Sequence, residues 1–221
     1  MGMFGIDTSR LKTRATALRR LYTLDQNEID AFLQSYMLFE GDWSNENGKH
    51  EEQIIDYYRV LNHLCSLGNV EKMYFPPYLD PRVGVAANQA LFERKMMSDI
   101  GVKQGARVLD IGCGRGRVAN HVATFGGANV SGINIDPSQI ESAREFAERQ
   151  GLADRCEFRL SSLNDPLPFA DESFDACYEI QALTYAKDVV AVFGEIFRVL
   201  RPGARLSYLD WVLLPGYDES N

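Results

Sequence analysis

The segment Asp110-Ile111-Gly112-Cys113-Gly114-Arg115-Gly116 combines a carboxylate with glycines at alternate positions. Glycines let a backbone turn through positive φ and approach a ligand closely. The run Arg107-Val108-Leu109-Asp110-Ile111 before it reads as a short strand, and a helical pattern opens at about Gly116. A dinucleotide loop of the form G-x-G-x-x-G would need its third glycine at position 117, which is Arg117. Asp110 argues in the same direction. A carboxylate at the strand end repels a pyrophosphate seated on the helix N-terminus and suits a ligand with cationic centres, such as an amino group and a sulfonium.

Alternating elements must carry this loop. Strands are expected at Arg107–Ile111, Val130–Ile135, Cys156–Leu160, Phe174–Ile180 and Ala204–Trp211, with helices between them. Asp136-Pro137-Ser138-Gln139 predicts a helix start with an N-cap acid, proline in the first position and Gln139 closing a capping box. Gly151 ends that helix. Asp188 caps the next, which carries Val189, Phe193, Ile196, Phe197 and Leu200, and Arg201-Pro202-Gly203 turns the chain into the last strand. This order is that of an α/β fold, a Rossmann-like, doubly wound, mostly parallel sheet over residues 84–221. Ligands in such sheets sit at the C-terminal ends of the strands. Residues 1–83 read as a helical N-terminal extension: one helix over 10–40, a polar loop over 41–49 and a second helix over 51–66. Tyr74-Phe75-Pro76-Pro77-Tyr78 follows, held extended by its prolines, and a third helix runs from about 84 to Ile100.

The chain has 221 residues, with 23 Lys and Arg against 31 Asp and Glu and a net charge of −8. That acidity argues against nucleic acid as a partner. No apolar run approaches the ~18 residues of a transmembrane helix. Cys65, Cys113, Cys156 and Cys177 are scattered, and His50, His63 and His121 lack ligand spacing, so no metal site is expected. Arg10, Lys12, Arg14, Arg19 and Arg20 face only Asp7 within residues 1–24, which reads as a solvated basic helix or as organelle targeting. The expected location is the cytoplasm or the surface of an internal membrane.

Asp110-x-Gly112-x-Gly114-x-Gly116 resembles motif I of class I S-adenosylmethionine-dependent methyltransferases. Phe174-Asp175 and Arg198-Val199-Leu200-Arg201-Pro202-Gly203 match later landmarks of that family, and the resemblance spans roughly residues 84–214. More narrowly, Val130-Ser131-Gly132-Ile133-Asn134, Gln139, Ile180-Gln181-Ala182, Gly194 to Leu200 and Asp210-Trp211-Val212 resemble the sterol C-24 methyltransferase branch.

The resemblance implies S-adenosylmethionine as cofactor, held by Asp110, Gly112, Cys113, Gly114 and Gly116. It implies ribose contact by Asn134, with Ile135, Gln139 and Glu179 lining the site. Ser162 takes the place of an acid that accepts from the adenine amine, and the Leu163 N–H is expected to face the ring. Arg115 and Arg117 are expected to face solvent or to pair with the cofactor's carboxylate. The implied reaction is methyl transfer to a hydrophobic small molecule, first of all C-methylation of a sterol-like or isoprenoid lipid. The alternatives are O- or N-methylation of another small molecule and cofactor binding without catalysis. An alkene acceptor needs a pocket lined by aromatic faces that tolerate a carbocation, and Tyr57, Tyr58, Tyr74, Phe75 and Tyr78 are the candidates. It also needs a base, for which Glu179 and Tyr185 are candidates, because the acid and histidine of the sterol branch are replaced by Gln181 and Tyr185. The family's sheet has seven strands and only five are expected here, so the sequence reads as a truncated core. Its fifth strand then offers an unpaired edge for homo-oligomers.

Overall fold

The computed structural model describes residues 8–36, 49–68 and 70–211. The chain divides into two compact units, Met1–Met73 and Tyr74–Asn221.

The first unit holds helices α1 (Thr8–Tyr22), α2 (Gln26–Ser35) and α3 (Lys49–Leu67). The single helix expected over 10–40 is therefore two, and residues 37–40 lie outside the described residues. The break is a capping box at Asp25. The Asp25 carboxylate accepts the Glu28 N–H at 2.9 Å, and the Glu28 carboxylate accepts the Asp25 N–H at 3.1 Å. That pairing satisfies helix-end donors that a continuous helix would not expose. Phe32, Tyr36 and Tyr57 pack as an aromatic cluster between α2 and α3, with Phe32 stacked on Tyr57 at 6.1 Å and Tyr36 edge-on to it at 5.7 Å.

The second unit begins with the extended segment around Phe75 and continues with α4 (Val85–Asp99), β1 (Arg107–Ile111), α5 (Arg117–Gly126) and β2 (Asn129–Asn134). It goes on through α6 (Pro137–Arg149), β3 (Cys156–Leu160), β4 (Phe174–Ile180), a 3₁₀ turn (Leu183–Tyr185), α7 (Val189–Val199) and β5 (Leu200–Leu209). All strands are parallel, in the order β3-β2-β1-β4-β5. Central parallel strands are covered on both faces, and the β1 residues after Arg107 are all buried accordingly. Strand alternation sends Val108, with Phe158 and Tyr178, into one core beside α5 and α6. Leu109 and Ile111 enter the other, with Ile133, Phe174 and the Ile196 face of α7. Asp188 caps α7 as expected, accepting the Val190 and Ala191 N–H groups at 2.9 and 3.1 Å.

The last strand departs from expectation. Pairing with β4 starts at Phe174–Leu200 and resumes at Ala176–Arg205, so Arg201-Pro202-Gly203 is a bulge inside β5 rather than a turn before it. Gly203 takes φ +81°, and proline is tolerated because β5 pairs with β4 alone among the described residues. Among the described residues no helix is long and apolar enough to cross a membrane.

Phe158 supports the site from below. A Cβ at Gly116 would come within 2.8 Å of its ring, and one at Gly132 within 2.9 Å. Phe158→Ala should therefore cost about 3–5 kcal/mol, whereas Phe158→Leu should retain most of the stability. Urea denaturation of the two variants against the parent checks this.

Candidate cofactor site

The loop after β1 needs glycine for two separate reasons. Gly112 adopts φ +72°, and a Cβ there would stand 2.4 Å from the Ala182 Cβ. The loop thus packs directly on the exit of β4. Gly116 adopts φ +69° as the N-cap of α5, and a Cβ there would meet Ala143 at 2.9 Å. The Cys113 N–H donates to the Ile133 carbonyl at 2.9 Å, which ties the loop to β2. Cys113 itself is buried, and burial together with the Asp110 charge raises its thiol well above its ordinary value.

Asp110 is buried beneath this loop. Register places it opposite Tyr178 of β4, whose hydroxyl donates to it at 2.7 Å. Burial pushes the Asp110 carboxyl up to about 7; the Tyr178 hydrogen bond opposes that rise and the Glu93 charge adds to it.

At the end of β2 the Asn134 amide donates to Gln139 Oε1 at 2.8 Å, and its Oδ1 accepts the Ile135 N–H at 2.8 Å. Gln139 therefore turns toward the strand end instead of completing the expected capping box. Asp136 does cap α6, through Oδ1, which accepts the Ser138 and Gln139 N–H groups at 2.8 and 3.3 Å. Its Oδ2 is buried without a hydrogen-bond partner. From the sequence, Asp136 was expected first as a helix cap, with reach to a ribose as the second possibility.

Ser162 is buried after β3, where its Oγ accepts the Asn164 N–H at 3.0 Å. Asn164, which sequence reasoning did not single out, donates to the Tyr185 carbonyl at 3.3 Å and accepts the Lys187 N–H at 2.8 Å. It thereby ties the β3 exit to the 3₁₀ turn that carries Tyr185. Leu163 packs at the margin of the α7-side core. Arg117 is half-buried: its guanidinium lies 3.5 Å from the Phe146 ring centroid and donates to the Arg115 carbonyl at 3.2 Å.

Glu179 is buried at the end of β4 and is no surface acid. Its Oε1 accepts the Ala182 and Leu183 N–H groups, and its Oε2 is buried without a hydrogen-bond partner. Burial first, and then Asp210, raise this carboxyl above the usual range, while the two backbone donors act against the rise. Asp210 accepts the Thr184 N–H at 2.8 Å and the Trp211 N–H at 2.7 Å.

The candidate aromatic residues separate. Tyr74 is buried: its hydroxyl donates to Glu93 at 2.5 Å, and Gln89 Nε2 donates to its carbonyl at 2.9 Å. Glu93 also pairs with His121. Phe75 and Tyr78 are exposed. Tyr57 and Tyr58 belong to the first unit, edge-on to each other at 5.3 Å.

A family profile described as a methyltransferase domain matches residues 109–208. The chain is 40% identical over 167 residues to the sterol 24-C-methyltransferase erg6 of Aspergillus fumigatus, covering 75% of this chain and 43% of that protein. It is 34% identical over 183 residues to methyltransferase phqN of Penicillium fellutanum, covering 81% and 52%. The chain thus spans about half the length of the curated relatives it matches. Among solved structures, the [4+2]-cyclase SpnF aligns with a TM-score of 0.67 at 26% identity, over 72% of this chain and 59% of that one. Residues 109–208 thus carry a methyltransferase domain, and the parallel sheet with its flanking helices has the Rossmann-like fold of class I methyltransferases. Within that class the chain resembles the sterol 24-C-methyltransferases.

The residues present fit S-adenosylmethionine. Three buried carboxylates, Asp110, Asp136 and Glu179, surround the glycine loop and the neighbouring strand ends, and two of them keep an oxygen without a partner. Burial favours the neutral form of such groups, as at Asp110 and Glu179, and a ligand with positive charge and hydroxyl donors would favour their ionised form.

The raised Asp110 carboxyl fixes a stability trend. In the unfolded chain this carboxyl ionises near its ordinary value of 3.8 and in the folded chain at about 7, so folding stability falls as pH rises through that window. Asp110→Asn removes this carboxyl's share of the dependence, while the raised Glu179 carboxyl keeps its own. Relative to the parent, the variant should gain on the order of 3 kcal/mol between pH 4 and pH 8, read by denaturant unfolding at both values.

Proposed function

We propose that the protein is a methyltransferase that transfers the S-adenosylmethionine methyl group to carbon of a sterol-like or isoprenoid lipid. The observation that carries this reading is the set of buried carboxylates around a glycine loop, on a chain similar to sterol 24-C-methyltransferases. Bound S-adenosylmethionine supplies an electrophilic methyl on a sulfonium centre.

The chain's own residues then divide the work. Asp110 offers negative charge to the cofactor's amino end, and Gly112, Cys113, Gly114 and Gly116 present backbone to it. Asp136 Oδ2 and the Asn134 amide take the ribose hydroxyls. For Asn134 this means exchanging its bond to Gln139, beside Ile135. Ser162 and the Leu163 N–H address the adenine. Phe75 and Tyr78 offer π-faces to the positive charge that develops on an alkene acceptor. Glu179, with an oxygen that no donor holds, takes the proton lost from the methylated carbon, and Tyr185 stands in the turn that Glu179 organises. A base must be ionised to accept a proton, so methyl transfer should rise with pH through the neutral range as Glu179 ionises. An acceptor of this kind also places the protein against a membrane surface.

The likeness to a [4+2]-cyclase supports a second reading, in which the fold binds S-adenosylmethionine without transferring its methyl. Calorimetry and label transfer separate the two. The chain should bind S-adenosylmethionine, and Asp110→Asn should weaken binding at pH 8 at least tenfold, about 1.4 kcal/mol. With labelled cofactor, label should enter extractable sterols or prenyl lipids. Binding without any transfer favours the second reading, and label confined to small polar products indicates O- or N-methylation instead.

A further inference from the structure

Gln181, the residue just beyond β4, has an unusual backbone and an unusual partner. Its φ is +57°, in the left-handed region that residues with a Cβ seldom occupy. Such conformations persist where the surrounding structure holds them and cluster at functional positions. Its own N–H donates to the Leu209 carbonyl at 2.7 Å, which locks the residue to the end of β5. From there its side-chain amide clasps one residue of the distant extended segment in both directions. Oε1 accepts the Phe75 N–H at 3.1 Å, and Nε2 donates to the Phe75 carbonyl at 3.3 Å.

The clasp acts on one side of a strap. On the other side Tyr74 is pinned to α4 by its hydroxyl on Glu93 and its carbonyl on Gln89. Adjacent residues are thus tied to different elements, and the prolines that follow hold the chain extended. What remains free is the Phe75 ring, 71% exposed, edge-on at 6.3 Å to Trp211, itself 64% exposed beyond the C-terminal end of β5. The neighbour of Gln181 is Ala182, whose Cβ leaves no room for a side chain at Gly112. Two consecutive residues therefore join the aromatic strap to the glycine loop.

We propose that Gln181 is a positioning residue for the methyl acceptor, its amide holding the Phe75–Trp211 aromatic pair in place as one wall of an apolar acceptor site beside the cofactor loop. The proposal rests on the methyltransferase reading above for the identity of the acceptor, but not for the clasp. A carboxylate at this position accepts from the Phe75 N–H and cannot donate to its carbonyl, so Gln181→Glu keeps one bond of the two. Gln181→Gly removes both and relieves the left-handed backbone, which keeps the test open if Gln181→Ala folds poorly.

Hydrogen exchange reads the clasp directly, because Pro76 and Pro77 have no amide and leave Phe75 as an isolated reporter. Exchange at Phe75 should quicken at least tenfold in Gln181→Ala and Gln181→Gly and less than threefold in Gln181→Glu. S-adenosylmethionine affinity should stay within threefold of the parent in all variants. With a prenyl diphosphate or a sterol as acceptor, KM should rise about tenfold in the Ala and Gly variants while kcat stays within threefold. Unchanged Phe75 exchange overturns the clasp, and a freed Phe75 with unchanged KM overturns the acceptor role. A parent chain that binds S-adenosylmethionine but methylates neither acceptor overturns the functional reading, and the exchange result still decides the clasp.

Discussion

Asp110 and Tyr178 stand opposite each other on neighbouring parallel strands, and burying that pair constrains everything built around it. A carboxylate at this depth has lost most of its hydration, which is costly unless hydrogen bonds or opposite charge replace it. Tyr178 supplies one hydrogen bond. Among the described residues no lysine or arginine is bonded to Asp110, and the Glu93 charge that acts on it is of the same sign. A protein that only needed a stable strand end would place an apolar residue here, as it does at Leu109 and Ile111. The acid is kept at the position where a cationic ligand would complete its electrostatics.

The same logic organises the neighbouring strand ends. Glu179 uses one oxygen to start the turn after β4 and leaves the other without a donor, and Asp136 uses one oxygen to start α6 and does likewise. In both cases a single side chain builds the local backbone and keeps an acceptor in reserve. The site therefore needs no elements of its own. It is the by-product of how β1, β2 and β4 end, and Gly112 packing on Ala182 keeps those ends at contact distance.

Much of this was legible in the sequence because it depends on local pattern. Strand alternation, the glycines at 112 and 116, the Asp188 cap and the Asp136 helix start are all short-range signals, and the structure contains each of them. The break at Asp25 was not legible, because apolar residues continue at helical spacing across it and only the Asp25–Glu28 capping box reveals it. The start of β5 was missed because Pro and Gly read as a turn, whereas an edge strand tolerates both in a bulge. In the candidate site, residue types were readable and partners were not. Gln139 has the right spacing for a capping box, but Asn134, folded beside it, competes for the same oxygen. Gln181 and Phe75 lie far apart in sequence, and nothing local pairs them.

Asn134 and Asp136 show how the free protein reconciles order with readiness. An amide at a strand end has both donor and acceptor to satisfy, and here Gln139 and the Ile135 N–H satisfy both. In the proposed complex a ribose diol would displace the Gln139 bond, and the net gain at Asn134 would be the difference between two hydrogen bonds of similar kind. Asp136 Oδ2 gives up no partner in the exchange, so a hydroxyl donated to it recovers a desolvation cost already incurred on folding. Binding energy at this strand end should then come chiefly from Asp136, with Asn134 fixing orientation. The division follows from which acceptor the fold leaves unpartnered, and it reverses the order in which the two residue types alone would rank.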